Sequence, residues 1–206
     1  MSDNPSVILS GFADEAANQK TVDQQFSAFA AIGLQYYTIR FIDAGNGVKN
    51  VMQLNKTEVK HINKKMDEYG LKVSSLGSPI GKVKLLDVDD GTHNQYIPFK
   101  KYLKNDVQRA CDLANDFGTK LMRGFAFYHP RGEDPYAYVD QVVDQLSAIA
   151  EVCDKNGITF GLEVEASLVG QCGRTLELLH RKVKHPAMLT IFDAANIVTQ
   201  GYSSDD

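Results

Sequence analysis

The sequence lacks the features that mark several classes of protein. Its 206 residues contain no apolar run of membrane-spanning length, and the early stretch VILSGFA is too short for a signal or membrane segment. Acidic residues outnumber basic ones by 26 to 22, and no block of lysine or arginine offsets them locally. We therefore expect a cytoplasmic protein that binds neither membranes nor nucleic acid.

Cysteine pairs and phosphate-binding loops are also missing. The three cysteines, Cys111, Cys153 and Cys172, are far apart and form no C-x-x-C pair, so we interpret them as buried or free thiols. The stretch GSPIGKVKL is one residue short of a Walker A loop and has Val83 where serine or threonine is required. The GNG at 45–47 has no third glycine of a dinucleotide fingerprint and is interpreted as a turn.

The chain instead alternates strand-like with helix-like segments, without a long linker. At 43% hydrophobic and 23% charged residues it suits one globular domain. Helical stretches end at Gly33, Gly70, Gly118 and Gly157, and Thr57 is a plausible N-cap. The six predicted strands lie within SVILSG, LQYYTIRF, LKVSSLG, TKLMRGFAF, ITFGLE and MLTIFDAAN. Such alternation predicts an α/β fold with parallel strands, either an open doubly wound sheet or a barrel.

Even spacing, the missing phosphate loop and the polar residues at strand ends favour the barrel. In a (β/α)8 barrel the carboxyl ends of the strands form the active face. The residues that fall there by position are Asp14, Glu15, Arg40, Ser78, Arg123, Glu163 and Asp193. This pattern predicts a ring of charged side chains at one rim.

These segments resemble the xylose isomerase-like TIM barrels, the sugar phosphate isomerase/epimerase superfamily. The stretches that carry the resemblance are GFADEA, YYTIRFID, VSSLGSPIGKVKL, TKLMRGFAFY, GLEVEASLVG and IFDAANIVTQG. The resemblance implies a (β/α)8 barrel of which residues 1–206 form a single domain with about six of the eight β/α units. On this interpretation the last two strands are missing.

The resemblance also implies a function. Members hold a divalent cation with glutamate, aspartate, histidine and glutamate from strands five to eight, and move a proton next to a carbonyl through an enediolate. By position the first two ligands are Glu163 and Asp193, with Glu163 also the acid/base group. The resemblance implies manganese, magnesium, zinc or cobalt as the metal. The other two ligands have no counterpart in the sequence, so the metal could be absent if the chain is truncated.

Several further residues are candidates for contacting a sugar or sugar phosphate. They are Glu15, Arg40, Lys82, Arg123, His129 and Asn196. The two arginines could bind a substrate oxyanion or tie neighbouring strands and carboxylates together. Lys82 could equally be a solvated lysine, and Asn196 could stabilise a turn.

The carboxylates have structural alternatives as well. Glu163 could be a solvated strand end, and Asp193 could cap the helix that begins at AANIV. Glu165, which faces the same way as Glu163 if the strand continues, is expected at the rim rather than as a ligand.

Two other functions remain open. An incomplete barrel could bind carbohydrate or serve in assembly without catalysis, and exposed edge strands would favour homo-oligomers. An endonuclease-like phosphodiesterase is less favoured, because it would need histidine-rich strand ends and a basic face. The ending at Asp206 leaves three explanations: a fragment, a partner that supplies strands, or a barrel that covers its own edges.

Overall fold

The computed structural model describes residues 7–203 of the chain. They fall into two compact units. Within the described residues, the first unit consists of residues 7–77 with Leu113–Thr119, and the second of Ser78–Asp112 with residues 120–203. Both units combine helices with strands, so the predicted α/β class is confirmed.

The first unit contains two helices that pack on an aromatic core. Phe26 of one helix lies with its ring centroid 5.1 Å from that of Tyr37, and both residues are fully buried. The elements are a 3-10 helix, Ala13–Glu15; α1, Val22–Ala31; β1, Tyr36–Ile39; β2, Phe41–Asp43; β3, Val48–Asn50; a 3-10 helix, Val51–Gln53; α2, Lys56–Tyr69; and the start of β4, Lys72–Ile80.

Of three predictions for this unit, two are wrong and one is confirmed. The predicted strand in SVILSG is wrong over residues 7–11, and Ser6 lies outside the described residues. Only Phe12 forms an isolated parallel bridge, to Thr38. The N-cap of α2 is Asn55 rather than Thr57, because Asn55 accepts from the two amides of Thr57 and Glu58. The GNG turn is confirmed as the connection of the antiparallel β2–β3 hairpin, which the sequence analysis missed.

The second unit continues β4 and adds three strands with their helices. Strands β5 and β6 are parallel, as are β6 and β7. The elements are α3, Phe99–Tyr102; a π-helical segment, Leu103–Val107; α4, Gln108–Asp116; β5, Leu121–Gly124; a 3-10 helix, Pro135–Tyr138; α5, Val139–Lys155; β6, Thr159–Glu163; α6, Gly173–Val183; β7, Met188–Ile191; and α7, Ala194–Val198.

Strand order separates the two folds that the sequence left open. The main sheet runs β1-β4-β5-β6-β7, so within it each strand lies beside the next one in the chain. A doubly wound sheet reverses its order at a switch point, whereas a barrel does not. The order therefore favours the barrel, with five strands in this sheet rather than six.

All three cysteines are buried and free, as predicted. Between residues 7 and 203, every helix falls short of what a membrane span requires.

Two glycines of the second unit allow close approaches between neighbouring segments. A Cβ on Gly81, which follows β4 and has a φ of +90°, would lie 1.9 Å from the carbonyl oxygen of Phe125 after β5. A Cβ on Gly124 in β5 would lie 2.1 Å from the ring of Phe160 in β6. Only glycine fits such contacts. The first of them brings the segments of Lys82 and Phe125 together.

Candidate functional site

The centre of the candidate site is Glu163, the last residue of β6. It is 5% exposed, and Arg123 on the neighbouring strand is 8% exposed. Arg123 Nη1 lies 3.6 Å from Glu163 Oε1. Because β5 and β6 run parallel, their carboxyl ends meet at the same edge and bring these two side chains together.

The carboxylate of Glu163 is poorly compensated. Burial raises its pKa, and the charges of Asp193 and Glu165 raise it further, while Arg123 and Lys82 lower it. At 3.6 Å the contact to Arg123 is an ion pair beyond hydrogen-bonding distance. Within residues 7–203 no hydrogen bond reaches the carboxylate. A buried carboxylate in this state would be stabilised by taking up a proton or by binding a cation.

Lys82 and Glu165 form a second ion pair near Glu163. Lys82 Nζ lies 2.6 Å from Glu165 Oε2 and 4.3 Å from the centroid of the buried Phe125 ring. The guanidinium of Arg123 lies 4.9 Å from the same ring, so cation–π attraction helps to hold both cations. Lys82 is thus paired rather than freely solvated.

Asp193 has the capping role that the sequence analysis left open, whereas the side chain of Asn196 makes a long-range contact instead of stabilising a turn. Asp193 caps α7 and accepts from the amide of Asn196 at 3.0 Å. Asn196 Nδ2 donates to the carbonyl of Val164, also at 3.0 Å. Since Val164 follows Glu163, this bond fixes the start of α7 to the end of β6. Roles in metal or substrate binding stay predictions for both residues.

Glu15 and Arg40 belong to the first unit and contact each other there. Arg40 Nη2 lies 2.8 Å from Glu15 Oε1 and 2.8 Å from Asp14 Oδ2. Asp14 is buried, whereas the side chain of Glu15 is 64% exposed. The contacts match the interpretation that Arg40 ties carboxylates together. Substrate binding by Glu15 and Arg40 stays a prediction.

His129 lies on the loop after β5, where the sequence placed it. Its ring stacks on Tyr138 at an interplanar angle of 16°, and its Nδ1 lies 3.0 Å from the carbonyl oxygen of Pro130. His129 also lines a cleft with Asn94 and Gln171. Sequence reasoning missed the last two, because they lie on loops with no periodic pattern or motif.

The chemistry of these groups fits a divalent cation in part. Carboxylate oxygens are the ligands that manganese and magnesium prefer, and Glu163 lies among carboxylates whose mutual repulsion a cation would relieve. Across the described part of the chain, however, no three residues of the types His, Cys, Asp and Glu form a group that could hold a metal. The residues present therefore supply an incomplete ligand set.

Comparisons with known proteins place the fold. A family model described as xylose isomerase-like TIM barrel matches residues 26–205. Comparison with curated protein sequences finds no match. Among solved structures, a xylose isomerase-like TIM barrel protein from Mycobacterium smegmatis in complex with magnesium is 17% identical, with a TM-score of 0.64 over 93% of this chain and 65% of that one.

Two enzymes with assigned reactions are similar in fold. The probable 3-DHS dehydratase AsbF from Bacillus anthracis is 16% identical, with a TM-score of 0.69 over 95% of this chain and 66% of that one. D-Psicose 3-epimerase from Clostridium cellulolyticum H10, solved with D-tagatose, is 13% identical, with a TM-score of 0.66 over 96% and 66%. The chain thus spans about two thirds of the length of these structures. Likeness at such identity establishes the fold alone.

Proposed function

Because the chain belongs to the xylose isomerase-like TIM barrel family, we propose that it is a metal-dependent isomerase or epimerase of a sugar or sugar phosphate. The observation that carries the proposal is Glu163: a carboxylate at the carboxyl end of a strand, 5% exposed, with a pKa raised by burial. Buried acidic groups with raised pKa values at such strand ends are typical of acid/base catalysts.

The proposed reaction moves a proton next to a sugar carbonyl. Glu163 removes the proton from the carbon beside the carbonyl. In an isomerisation it returns that proton to the neighbouring carbon while the hydroxyl proton passes between the two substrate oxygens through solvent. An epimerisation would need a second acid on the opposite face of the substrate, which the resemblance assigns to a glutamate of strand eight. A carboxyl group whose pKa is raised toward neutrality is a stronger base in its ionised form than an ordinary glutamate. Arg123, held 3.6 Å from Glu163, binds the oxygen on which negative charge develops.

A cation would be held through the carboxylates of Glu163 and Asp193. When bound, it supplies positive charge that stabilises the enediolate. Asp193 is fixed at the start of α7 by its bond from the amide of Asn196, so its second carboxylate oxygen is free of that capping bond. Two carboxylates suit manganese or magnesium, and zinc or cobalt would require the histidine that the family adds.

Three of the remaining predicted residues would orient the substrate. Lys82 and His129 lie in the second unit on the loops after β4 and β5, and Asn196 lies on α7. Each offers a donor or acceptor that matches a sugar hydroxyl, carbonyl or phosphate. Glu15 and Arg40 belong to the first unit, and substrate binding by them stays a prediction. Two similar structures support a substrate with an acidic carbon beside a carbonyl, because one is a ketose epimerase and the other a probable dehydratase.

Deuterium exchange tests the proposal directly. The chain is incubated in D2O with Mn²⁺ and a panel of ketohexoses, and deuterium at the carbons next to the carbonyl is followed by NMR. We expect slow Mn²⁺-dependent exchange that Glu163→Gln abolishes. The matched control is Glu177→Gln on α6, whose exposed carboxylate pairs with the exposed Arg181 at 3.5 Å. Equal exchange in wild type and Glu163→Gln would contradict the assignment of Glu163.

A second function follows from the incomplete ligand set. Since residues 7–203 contain no group of three metal-binding side chains, the chain could bind carbohydrate without turning it over. Sugar-dependent protection against thermal unfolding, with no deuterium exchange at any Mn²⁺ concentration, would favour this function. Exchange above the uncatalysed rate would exclude it.

A further inference from the structure

A cleft of about 690 Å³ lies among three loops of the second unit. The loops follow β4, β5 and β6, and they contribute residues from 90–94, 128–135 and 166–171. Its size is in the range of small-molecule sites. Its walls therefore stand at the same ends of the strands as Glu163.

The wall after β4 is fixed by a buried ion pair. Lys84 Nζ lies 2.6 Å from Asp90 Oδ1, and both side chains are less than 10% exposed. Asp90 also accepts from the amide and the hydroxyl of Thr92, at 3.1 and 2.8 Å. Tyr128 forms isolated bridges to Lys84 and to Leu168, so it connects all three loops. The cleft is consequently preformed.

Two residues beside the cleft hold an unusual backbone conformation. Phe127 has φ of +59° and Ser167 has φ of +63°, values that favour glycine. Each of these backbone conformations costs on the order of 1–3 kcal/mol, and residues in such conformations cluster at binding sites. The amide of Val169 donates to the carbonyl of Phe127 at 3.1 Å, which links the two loops. The surrounding contacts maintain this arrangement of the walls.

The polar side chains in the cleft suit neutral hydroxyl groups. Asn94, Ser167 and Gln171 line it, and their side chains make no hydrogen bonds to the residues described between 7 and 203. Amides and hydroxyls both donate and accept, as the hydroxyls of a sugar do. The half-buried ring of Tyr128 adds an aromatic surface. This combination matches a polyhydroxylated molecule.

The charges around the cleft disfavour an anion. Arg131 and His129 line it, but so do the carboxylates Asp90 and Glu133. Glu133 accepts a hydrogen bond from the Tyr138 hydroxyl and Asp90 is paired with Lys84, so both are held in place. Because Lys84 offsets the charge of Asp90, a phosphate there would meet one carboxylate, Glu133, for the one guanidinium of Arg131. The cleft thus has no excess positive charge to attract an anion, and a neutral ligand needs none.

The cleft adjoins the candidate catalytic group. Ala166 lines it, and the preceding residue, Glu165, pairs with Lys82 beside Glu163. The negative charge of Glu165 also acts on the phenol of Tyr128, whose pKa is raised mainly by burial. The cleft therefore begins one residue along the chain from the Lys82–Glu165 pair.

We infer that this cleft binds a hydroxyl-rich, non-reacting part of the substrate, such as a second sugar ring or a polyol arm. The inference rests on the proposed function, because it assumes that the reacting part of the substrate lies at Glu163. Binding in the cleft itself needs neither metal nor turnover, so the two can be tested separately.

The test is a metal-free titration followed by amide ¹H–¹⁵N NMR. The probes are cellobiose as a two-ring ligand, glucose as a single ring and inorganic phosphate as an anion. Cellobiose is expected to shift the amides of Asn94, Tyr128 and Gln171, and to bind more tightly than either other probe. The double variant Asn94→Ala with Gln171→Ala should weaken cellobiose binding about tenfold or more, since two hydrogen bonds are lost.

Matched variants separate the cleft from the catalytic proposal. Gln95→Ala removes an exposed amide next to Asn94 that does not line the cleft, and it should leave binding unchanged. Glu163→Gln should abolish deuterium exchange and yet retain the cellobiose-induced shifts of the Asn94, Tyr128 and Gln171 amides. Shifts confined to residues outside the cleft, phosphate binding as tight as cellobiose binding, or full affinity in the double variant would each overturn the inference.

Discussion

Glu58 and Glu163 are both buried glutamates, at 3% and 5% exposure, yet their surroundings differ in kind. Glu58 lies on α2, where Lys49 Nζ is 2.5 Å from Oε1, the amide of Asn55 donates to Oε2 at 2.9 Å, and Asn46 donates at 3.3 Å. Glu163 has its nearest described cation at 3.6 Å. The pKa of Glu58 is lowered and that of Glu163 is raised.

The difference separates a structural carboxylate from one available for chemistry. The bonds to Glu58 join the β2–β3 hairpin to the first turn of α2, so its charge stabilises the first unit. Among the described residues, the burial of Glu163 is opposed by the ion pair with Arg123 at 3.6 Å and by the charge of Lys82. A group that the fold leaves incompletely compensated is expected to bind something else.

The largest expected effect comes from removing the compensated carboxylate. Glu58→Ala loses a charge-assisted hydrogen bond to Lys49 and one half of the capping box with Asn55. We expect the free energy of unfolding to fall by about 2–3 kcal/mol. Urea unfolding followed by circular dichroism measures it. A loss below about 0.5 kcal/mol would show that Glu58 is not structural.

Acid should remove the same contribution. Because the pKa of Glu58 is lower in the folded state, its stabilisation is present above the ordinary glutamate pKa of about 4.3 and is lost as pH falls through the folded value. The difference in unfolding free energy between wild type and Glu58→Gln should therefore shrink as pH is lowered from 7 to 3. A constant difference across this range would contradict the assigned cause, which is chiefly the hydrogen bond from Lys49.

The same contrast extends to two buried tyrosines. The hydroxyl of Tyr102 accepts from the amide of Gly81 at 2.7 Å, whereas the hydroxyl of Tyr37 is buried without a partner in the described residues. Tyr102→Phe leaves the Gly81 amide unpaired and should destabilise the protein by about 1–3 kcal/mol. Thermal unfolding of the purified variant gives the comparison.

Removing the Tyr37 hydroxyl should not lower the free energy of unfolding, in contrast to Tyr102→Phe. Tyr37→Phe deletes a buried group that has no partner, so we expect unfolding free energy to stay level or rise by up to about 1 kcal/mol. Its ring contacts with Phe26 and Phe29 are retained. A clear loss of stability would mean that the hydroxyl is satisfied in solution, for instance by water.

The smallest effect on stability is expected at Glu163. Glu163→Gln keeps the volume and removes a charge that burial disfavours, while Asp193 and Glu165 remain to balance Arg123. The change in unfolding free energy should stay within about 1 kcal/mol, measured in the same urea series as Glu58→Ala. A loss as large as that of Glu58→Ala would place Glu163 among the structural carboxylates.

Sequence patterns predicted the regular elements well where their signals were strong. The stops at Gly33 and Gly70 are confirmed, and Glu163 ends β6 as expected. The hairpin was missed because its strands have three residues each, too short for a periodic pattern. Asn55 with Glu58 three residues later is a capping-box pattern that could have identified the true start of α2.

Other features depend on tertiary contacts that local patterns do not encode. Val7, Ile8 and Leu9 read as a strand, but they are 84%, 54% and 71% exposed and pair with no neighbour among residues 7–203. The cleft is assembled from three loops that are distant in sequence. Proximity of Arg123 to Glu163 followed from strand order, whereas Lys82 and Glu165 are 83 residues apart on loops that no local pattern relates.

Calorimetric titration with Mn²⁺ tests the central claim most directly, with wild type, Glu163→Gln and Glu58→Gln compared at neutral pH. We expect wild type and Glu58→Gln to bind the cation with similar, weak affinity, and Glu163→Gln to lose binding, because of these two buried glutamates it is Glu163 whose carboxylate accepts no hydrogen bond from residues 7–203. If Glu163→Gln bound Mn²⁺ as wild type does, the buried carboxylate at the end of β6 would not be a metal ligand, and the proposed function would fail with it.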